Sequence, residues 1–299
     1  MAHALTSLLG TPAPWLMGVL NVTPNSFTDG GRFVAPDTAL AHARAMIEAG
    51  AAIVDIGGES TAPGRAPVGG EVELARIEGV VATLVPEAVV SVDTYRAATA
   101  ARCLGLGARI VNDVSAMRAD PDMPAVVRAH GAILVMMHSK EPDALPHASD
   151  LAITYADAVT AIGDFLARRI DAAVAAGIPA ERLVVDPGWG KFISLDPGDS
   201  WRLLEGFERL VERLAPVPVM VAASRKGFFG VPMAERDPVS QLTGVVGAMR
   251  GAAVLRTHDV RMARQFLDAG MRMGLRYPAA ERYPSSRASS SAVVRPSSG

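Results

Sequence analysis

The sequence predicts a single-domain α/β protein folded as a closed (β/α)8 barrel of the TIM type. Eight short apolar runs rich in Val, Ile and Met recur along most of the 299 residues, and segments of helical character separate them. Polar residues fall at or just past the C-terminal end of each run. Parallel strands buried on both faces read as continuous apolar runs, and eight strand–helix alternations are the pattern of a closed parallel barrel. An open doubly wound sheet is the alternative. The placement of the polar residues favours the barrel, whose strand ends converge on one mouth.

In order, the expected strands are LMGVLNV (16–22), AIVDIGG (52–58), VVSVDT (89–94), RIVNDV (109–114), AILVMMH (132–138), LVVDPG (183–188), VPVMVAAS (217–224) and AVLRTH (253–258). Helical patterns such as TALAHARAMIEAGA, GEVELARIEGVVATL, YRAATAARCLGLGA and YADAVTAIGDFLARRIDAAVAAG lie between them, several ending in Gly as helix C-termini tend to. The polar residues at the strand ends are Asn21, Asp55, Asp93, Asn112, His138, Asp186, Ser224 and His258. Any one of them is explained equally well as a helix cap or turn former. Their coincidence at all eight ends points to a functional mouth.

Residues 1–14 read as an N-terminal extension, 15–280 as the barrel, and 281–299 as a disordered Ser-rich tail with little apolar surface to offset the entropy of ordering it. The composition, 49% hydrophobic with 5% aromatic residues, suits layered α/β packing. With 29 Lys plus Arg against 31 Asp plus Glu, the chain has no basic excess for a nucleic-acid backbone, so an anionic partner must be met locally. The single Cys103 excludes a disulfide framework and reads as a buried, inert thiol. The N-terminus has no basic n-region, Gly10, Pro12 and Pro14 interrupt it, and no run approaches the ~20 apolar residues of a membrane span. A cytoplasmic protein with no membrane partner is expected. Trp15 and Trp201 read as packing residues, whereas Trp189 lies beside the expected pocket. Of Met136 and Met137 only one can face the mouth, because strand side chains alternate.

The mouth residues suit a polar heterocycle at the base and an anion at the rim. Asp93 and Asp186 can accept paired hydrogen bonds from an amidine-like ring edge, and Asn112 can donate and accept. Arg256 and His258 follow the last strand, where barrels often bind phosphate, and Arg suits bidentate contact with phosphate oxygens. No GxGxxG or Walker string follows a strand, which argues against a nucleotide-binding module.

MGVLNVTPNSFTDGG (17–31) and AAIVDIGGESTAPG (51–64) resemble the two signatures of the dihydropteroate synthases. SVDTYRA (91–97), IVNDVSA (110–116), VMMH (135–138), VDPGWG (185–190), ASRKGFFG (223–230) and LRTHDV (255–260) follow in that family's order. The resemblance implies condensation of 6-hydroxymethyl-7,8-dihydropterin pyrophosphate with para-aminobenzoate, giving 7,8-dihydropteroate and pyrophosphate in folate synthesis. It implies a pterin site of Asp93, Asn112, Val114, Met137, Asp186 and Lys226, with Asp93, Asp186, Lys226 and Arg256 as the catalytic set. Pyrophosphate would meet Asn21, Thr61, Arg256 and His258, with Mg2+ at Asn21, and para-aminobenzoate would meet Pro63, Lys191, Phe192, Lys226 and Gly227. The loops Thr23–Gly31 and Ser60–Gly64 would close over the reaction centre. A homodimer is implied as well.

Two departures from the family pattern stand out. Ala62 occupies the place of an Arg in the second signature, with Arg65 three positions later, and Lys191 occupies the place of a Phe, with Phe192 beside it. They leave two rival readings: a non-catalytic pterin-binding homologue, and a barrel of the methyltetrahydrofolate:corrinoid methyltransferase type. The cationic SRKGFFG and LRTHDV elements speak against the second, because they are what a pyrophosphate site requires.

Overall fold

The computed structural model describes residues 3–23, 36–60, 67–141 and 149–285. Its strands are β1 (Trp15–Asn21), β2 (Ile53–Gly57), β3 (Val90–Asp93), β4 (Ile110–Asp113), β5 (Ile133–Met137), β6 (Leu183–Asp186), β7 (Met220–Val221) and β8 (Val254–Thr257). Around them run α1 (Ala4–Leu9), α2 (Pro36–Glu48), α3 (Gly70–Leu84), α4 (Ala97–Leu106), α5 (Met123–His130), α6 (Ala158–Ala175), α7 (Pro197–Glu205), α8 (Phe207–Leu214), α9 (Arg236–Met249), α10 (Val260–Arg272) and α11 (Ala279–Arg282). Short 3-10 turns connect several of them.

All strand pairs are parallel, in the order β6-β5-β4-β3-β2-β1-β8-β7. The remaining seam is closed by a bridge between Val185 and Val219, where the Val185 N–H donates to the Pro218 carbonyl at 3.0 Å. The barrel is therefore closed, as expected, but β7 is much shorter than the apolar run 217–224. Pro216 and Pro218 have no N–H to give to a ladder, and beyond Val221 the chain leaves the sheet to form the Ser224–Lys226 turn.

The apolar faces of strands and helices merge in one continuous core. Cys103 is buried in α4, and burial pushes its thiol up to about 12, which matches an inert packing residue. The long α6 is capped by Asp157, whose carboxylate accepts the N–H groups of Val159 at 3.0 Å and Thr160 at 3.2 Å. Trp15 is buried, but Trp201 is 42% exposed and meets Phe228 edge-on, so only the first is a core residue.

Residues 3–13 and 283–285 pack beneath the barrel, opposite the mouth. His3 bonds the carbonyl of Leu183 at the start of β6, the Ala13 N–H donates to Tyr283, and the Tyr283 hydroxyl donates to Pro216. The expected boundary at 281 moves: Tyr283 is buried and the Ser285 hydroxyl donates to Gly10, so 281–285 belong to the packed body. Residues 286–299 lie outside the described residues. No described helix is long and apolar enough to cross a membrane.

Candidate active site

Strand register places the polar side chains. Asn21 pairs with Gly57, Gly57 with Asp93, Asp93 with Asn112, and Met137 with Asp186. Neighbours in a parallel ladder point to the same face, so Asn21, Asp93, Asn112, Met137 and Asp186 share the barrel interior at its C-terminal end. The even spacing continues along each strand, to Asp55 below Gly57, to Arg256 on β8 and to His258 just after it.

One ion-pair network organises the base of the mouth. Arg256 lies across the interior, donating from Nε to Asp55 Oδ2 and from Nη2 to Asp93 Oδ2, each at 2.7 Å. Asp55 is fully buried and also accepts from Asn112 Nδ2 at 3.0 Å. Asp55 Oδ2 thus accepts both the Arg256 Nε–H and the Asn112 NH2, which leaves Asn112 Oδ1 as the acceptor for a ligand. Burial opposes the charge of Arg256, yet Asp55 and Asp93 hold its guanidinium well above the usual range. Asp93 is pushed above the ordinary carboxylate range by burial, against the pull of Arg256 and with the repulsion of Asp55.

Asp186 reaches the same space from β6. The turn after it carries Gly188 at φ +72°, where a Cβ would lie 2.5 Å from the His138 carbonyl oxygen, so only glycine fits. This turn brings the Gly188 N–H to Asp186 Oδ1 at 2.9 Å and leaves Oδ2 without a partner among the described residues. Burial raises Asp186 to about 6, against the Gly188 bond and the cations Lys226 and Arg256. Lys226 arrives from a turn whose preceding residue, Arg225, has φ 59° and is pinned outward by two bonds to Asp237 at 2.7 and 2.8 Å. Burial and Arg256 lower Lys226 to about 8, with Asp186 and Asp93 opposing.

Val114, Met137 and Phe192 form a separate buried apolar cluster, with Tyr95 packed against it and Lys226 Nζ 4.7 Å from the centre of the Phe192 ring. Met136 instead lies in the main core, so the alternation resolves as expected. Phe192 was expected in the aminobenzoate pocket, and the structure packs it against Val114 and Met137. The Lys191 side chain turns outward to Asp150 at 2.6 Å, although the residue borders the cavity. Gly227 also borders that cavity, which measures about 520 Å³ and opens above Asn21, Asp93, Arg256 and His258. Thr61, Ala62, Pro63 and Arg65, and nearly all of the loop after β1, lie outside the described residues.

His138 departs from expectation. It follows inward-facing Met137 and so points outward, with its ring edge-on to Phe165 on α6; burial and Arg118 lower its imidazole to about 3. Trp189 is buried between Phe207 and Phe228. Two residues gain importance beyond their place at a strand end: Asp55, the hub between Arg256 and Asn112, and Ser224, bonded to His258. For Asp55 the inward spacing from Gly57 was the available signal. A third group, Glu59, gave none: it accepts from Tyr95 at 3.0 Å and Val68 N–H at 3.1 Å, and pairs with Arg96 at 2.9 Å.

A larger depression of about 970 Å³ lies outside the barrel between α6 and α7–α8, bordered by the Arg209–Asp157 ion pair. None of the strand-end groups reaches it. The chemistry therefore belongs to the mouth, where a closed parallel barrel presents acceptors for a polar ring beside cations for an anion.

The pterin binding enzyme family matches residues 17–258. The chain is 42% identical over 262 residues to the dihydropteroate synthase of Mycobacterium leprae (strain TN), covering 82% of this chain and 88% of that protein. It is 35% identical over 269 residues to that of Bacillus subtilis (strain 168), covering 87% and 89%. The fold is similar to the solved Xanthomonas albilineans dihydropteroate synthase with 4-aminobenzoic acid, at a TM-score of 0.79 and 36% identity over 87% of this chain and 93% of that one. A second solved form, in complex with 7,8-dihydropteroate, gives a TM-score of 0.76 at 34% identity, over 87% of this chain and 94% of that one. This chain belongs to the pterin-binding enzyme family, among the dihydropteroate synthases.

Proposed function

We infer that the protein condenses 6-hydroxymethyl-7,8-dihydropterin pyrophosphate with para-aminobenzoate to give 7,8-dihydropteroate and pyrophosphate. The observation that carries this is the convergence of three oriented acceptors, on Asp93, Asn112 and Asp186, over the Val114–Met137–Phe192 wall and beside Arg256 and His258.

Each acceptor has one side taken by the protein, Asp93 by Arg256, Asn112 by Asp55 and Asp186 by Gly188, so the remaining oxygens are preorganised for a ring rich in N–H donors. The pterin lies against the apolar wall, with Lys226 over its edge. The bond from the methylene carbon to pyrophosphate oxygen breaks, and Arg256, His258 and Asn21 hold the departing anion. Asp93 and Asp186 stabilise the positive charge left on the pterin, the aryl amine lone pair forms the new C–N bond, and the resulting ammonium gives its proton to the departing pyrophosphate or to solvent. Charge stabilisation at both ends does the work of a strong base.

Asn21 fits a magnesium ion held mainly by substrate. Its side chain offers one hard oxygen at the cavity, and the described residues contain no cluster of three or more His, Cys, Asp or Glu, a donor set suited to an ion that brings phosphate and water ligands with it. When bound, magnesium supplies positive charge to the leaving group. A cytoplasmic homodimer completes the reading, and light scattering tests the oligomeric state.

The decisive experiment follows pyrophosphate release from the pterin substrate with magnesium, with and without para-aminobenzoate, alongside chromatography of the product. Release that depends on aminobenzoate and matches dihydropteroate formation supports the reaction. Pterin binding without product would instead make the protein a non-catalytic homologue.

A further inference from the structure

We infer that Ser224 is a positioning residue that fixes the tautomer of His258, so that the imidazole meets the pyrophosphate as an Nε2–H donor. This rests on the reaction assigned above for its functional meaning, but the proton placement stands on geometry alone.

Ser224 Oγ lies 2.9 Å from His258 Nδ1, and the backbone N–H of His258 donates to the same oxygen at 3.2 Å. A serine hydroxyl has one proton and two acceptor lone pairs. The backbone N–H occupies one lone pair, and Nδ1 is the acceptor within reach for the hydroxyl proton. If Nδ1 carried the ring proton, Oγ would receive two N–H donors while its own hydrogen pointed to no acceptor among the described residues, at a site only 9% exposed. Nδ1 therefore accepts, and the proton of the neutral ring sits on Nε2.

The surroundings give that proton its use. Burial, Arg256, Arg225 and Lys226 all disfavour an imidazolium, with Asp237 alone opposing, and they lower His258 to about 3. A neutral ring among three cations can add a directed donor to an anion without adding to their mutual repulsion. A bare Nε2 lone pair in the same place would repel the anion. The hydroxyl is also firmly placed, because the next residue, Arg225, donates its backbone N–H to Ser240 Oγ at 3.0 Å and its guanidinium to Asp237.

The test reads the imidazole nitrogen shifts of His258 by NMR in the ligand-free protein, with the signal assigned by its loss in His258→Gln. The expected pattern is protonated Nε2 and bare Nδ1 in the wild type, with a tautomer mixture in Ser224→Ala and recovery in Ser224→Thr. A protonated Nδ1 in the wild type, or an unchanged pattern in Ser224→Ala, overturns the inference. In turnover, Ser224→Ala should lower kcat about tenfold on the pyrophosphate substrate, less than outright loss of such a donor. Affinity for 6-hydroxymethylpterin, which lacks pyrophosphate, should stay the same; equal losses for both ligands overturn the role. If Ser224→Ala does not fold, the wild-type spectrum still decides. If the spectrum holds and the wild type forms no dihydropteroate, the proton placement survives and the assigned reaction fails.

Discussion

Replacing Asp186 with Asn should stabilise the fold at neutral and alkaline pH while abolishing most pterin affinity. The side chain is buried, and burial outweighs the Gly188 bond and the two nearby cations, so the folded protein holds this carboxyl at about 6 against an ordinary 3.8. That difference corresponds to about 3 kcal/mol. The sign follows from proton linkage: between these two values the folded state binds the proton and the unfolded state does not, so the contribution of Asp186 to stability is full below the unfolded value and is lost as pH rises through the folded one. Asn carries no charge at any pH and can still accept the Gly188 N–H. In urea unfolding, Asp186→Asn and wild type should match at about pH 4 and differ by about 2–3 kcal/mol in favour of the variant at about pH 8. The same change puts an NH2 group where a ring N–H needs an acceptor, at a loss of about 3 kcal/mol, roughly 100-fold in Kd. Equal stability of the two proteins at the alkaline pH, or unchanged pterin affinity by calorimetry, would refute the reasoning.

The pH profile of kcat/KM should be bell-shaped, with an acid limb between about 7 and about 6, where Asp93 and Asp186 take up protons and lose acceptors, and an alkaline limb near about 8, where Lys226 loses its charge. A flat profile across this range would exclude these groups as the titrating set. Arg256→Ala leaves Asp55 and Asp93 without their shared cation and should cost about 3–5 kcal/mol in denaturant unfolding. Arg256→Lys is the better kinetic probe. It keeps the charge without the two-pronged grip, so it should impair turnover of the pyrophosphate substrate more than binding of a pterin lacking pyrophosphate; equal losses would count against a leaving-group role. Gly188→Ala forces a Cβ against the His138 carbonyl at positive φ and should destabilise by about 2–3 kcal/mol, with weakened pterin binding because the turn that orients Asp186 shifts.

The polarity of the site is expensive for the fold, which suggests why its parts are so heavily cross-braced. Two carboxylates and a guanidinium sit at the base of the barrel mouth, and one oxygen of the fully buried Asp55 has no partner among the described residues. Apolar residues of the same volume would pack there at lower free energy. The arrangement is instead suited to a ligand that brings its own donors and an anion.

The eight strands, their alternation with helices and the polar residues at the strand ends were legible in the sequence, because apolar periodicity and its interruptions are local properties of the chain. The same pattern placed Asp93, Asn112 and Asp186 at strand ends, and register puts all three on the inner face of the mouth. Which of these residues meet is set by long-range packing. His138 turns outward although it ends an apolar run, since Met137, the last residue of β5, takes the inward position. Lys191 faces Asp150 while Phe192 joins Val114 and Met137, a choice made by the 3-10 turn Gly190–Phe192. Residues 281–285 pack beneath the barrel because partners exist there in the N-terminal segment. Above all, Arg256 joins Asp93 and Asp55 across 163 and 201 residues of sequence. Such contacts depend on barrel closure and strand stagger, which no local pattern encodes, and they set the orientation of Asp93 and, through Asp55, of Asn112.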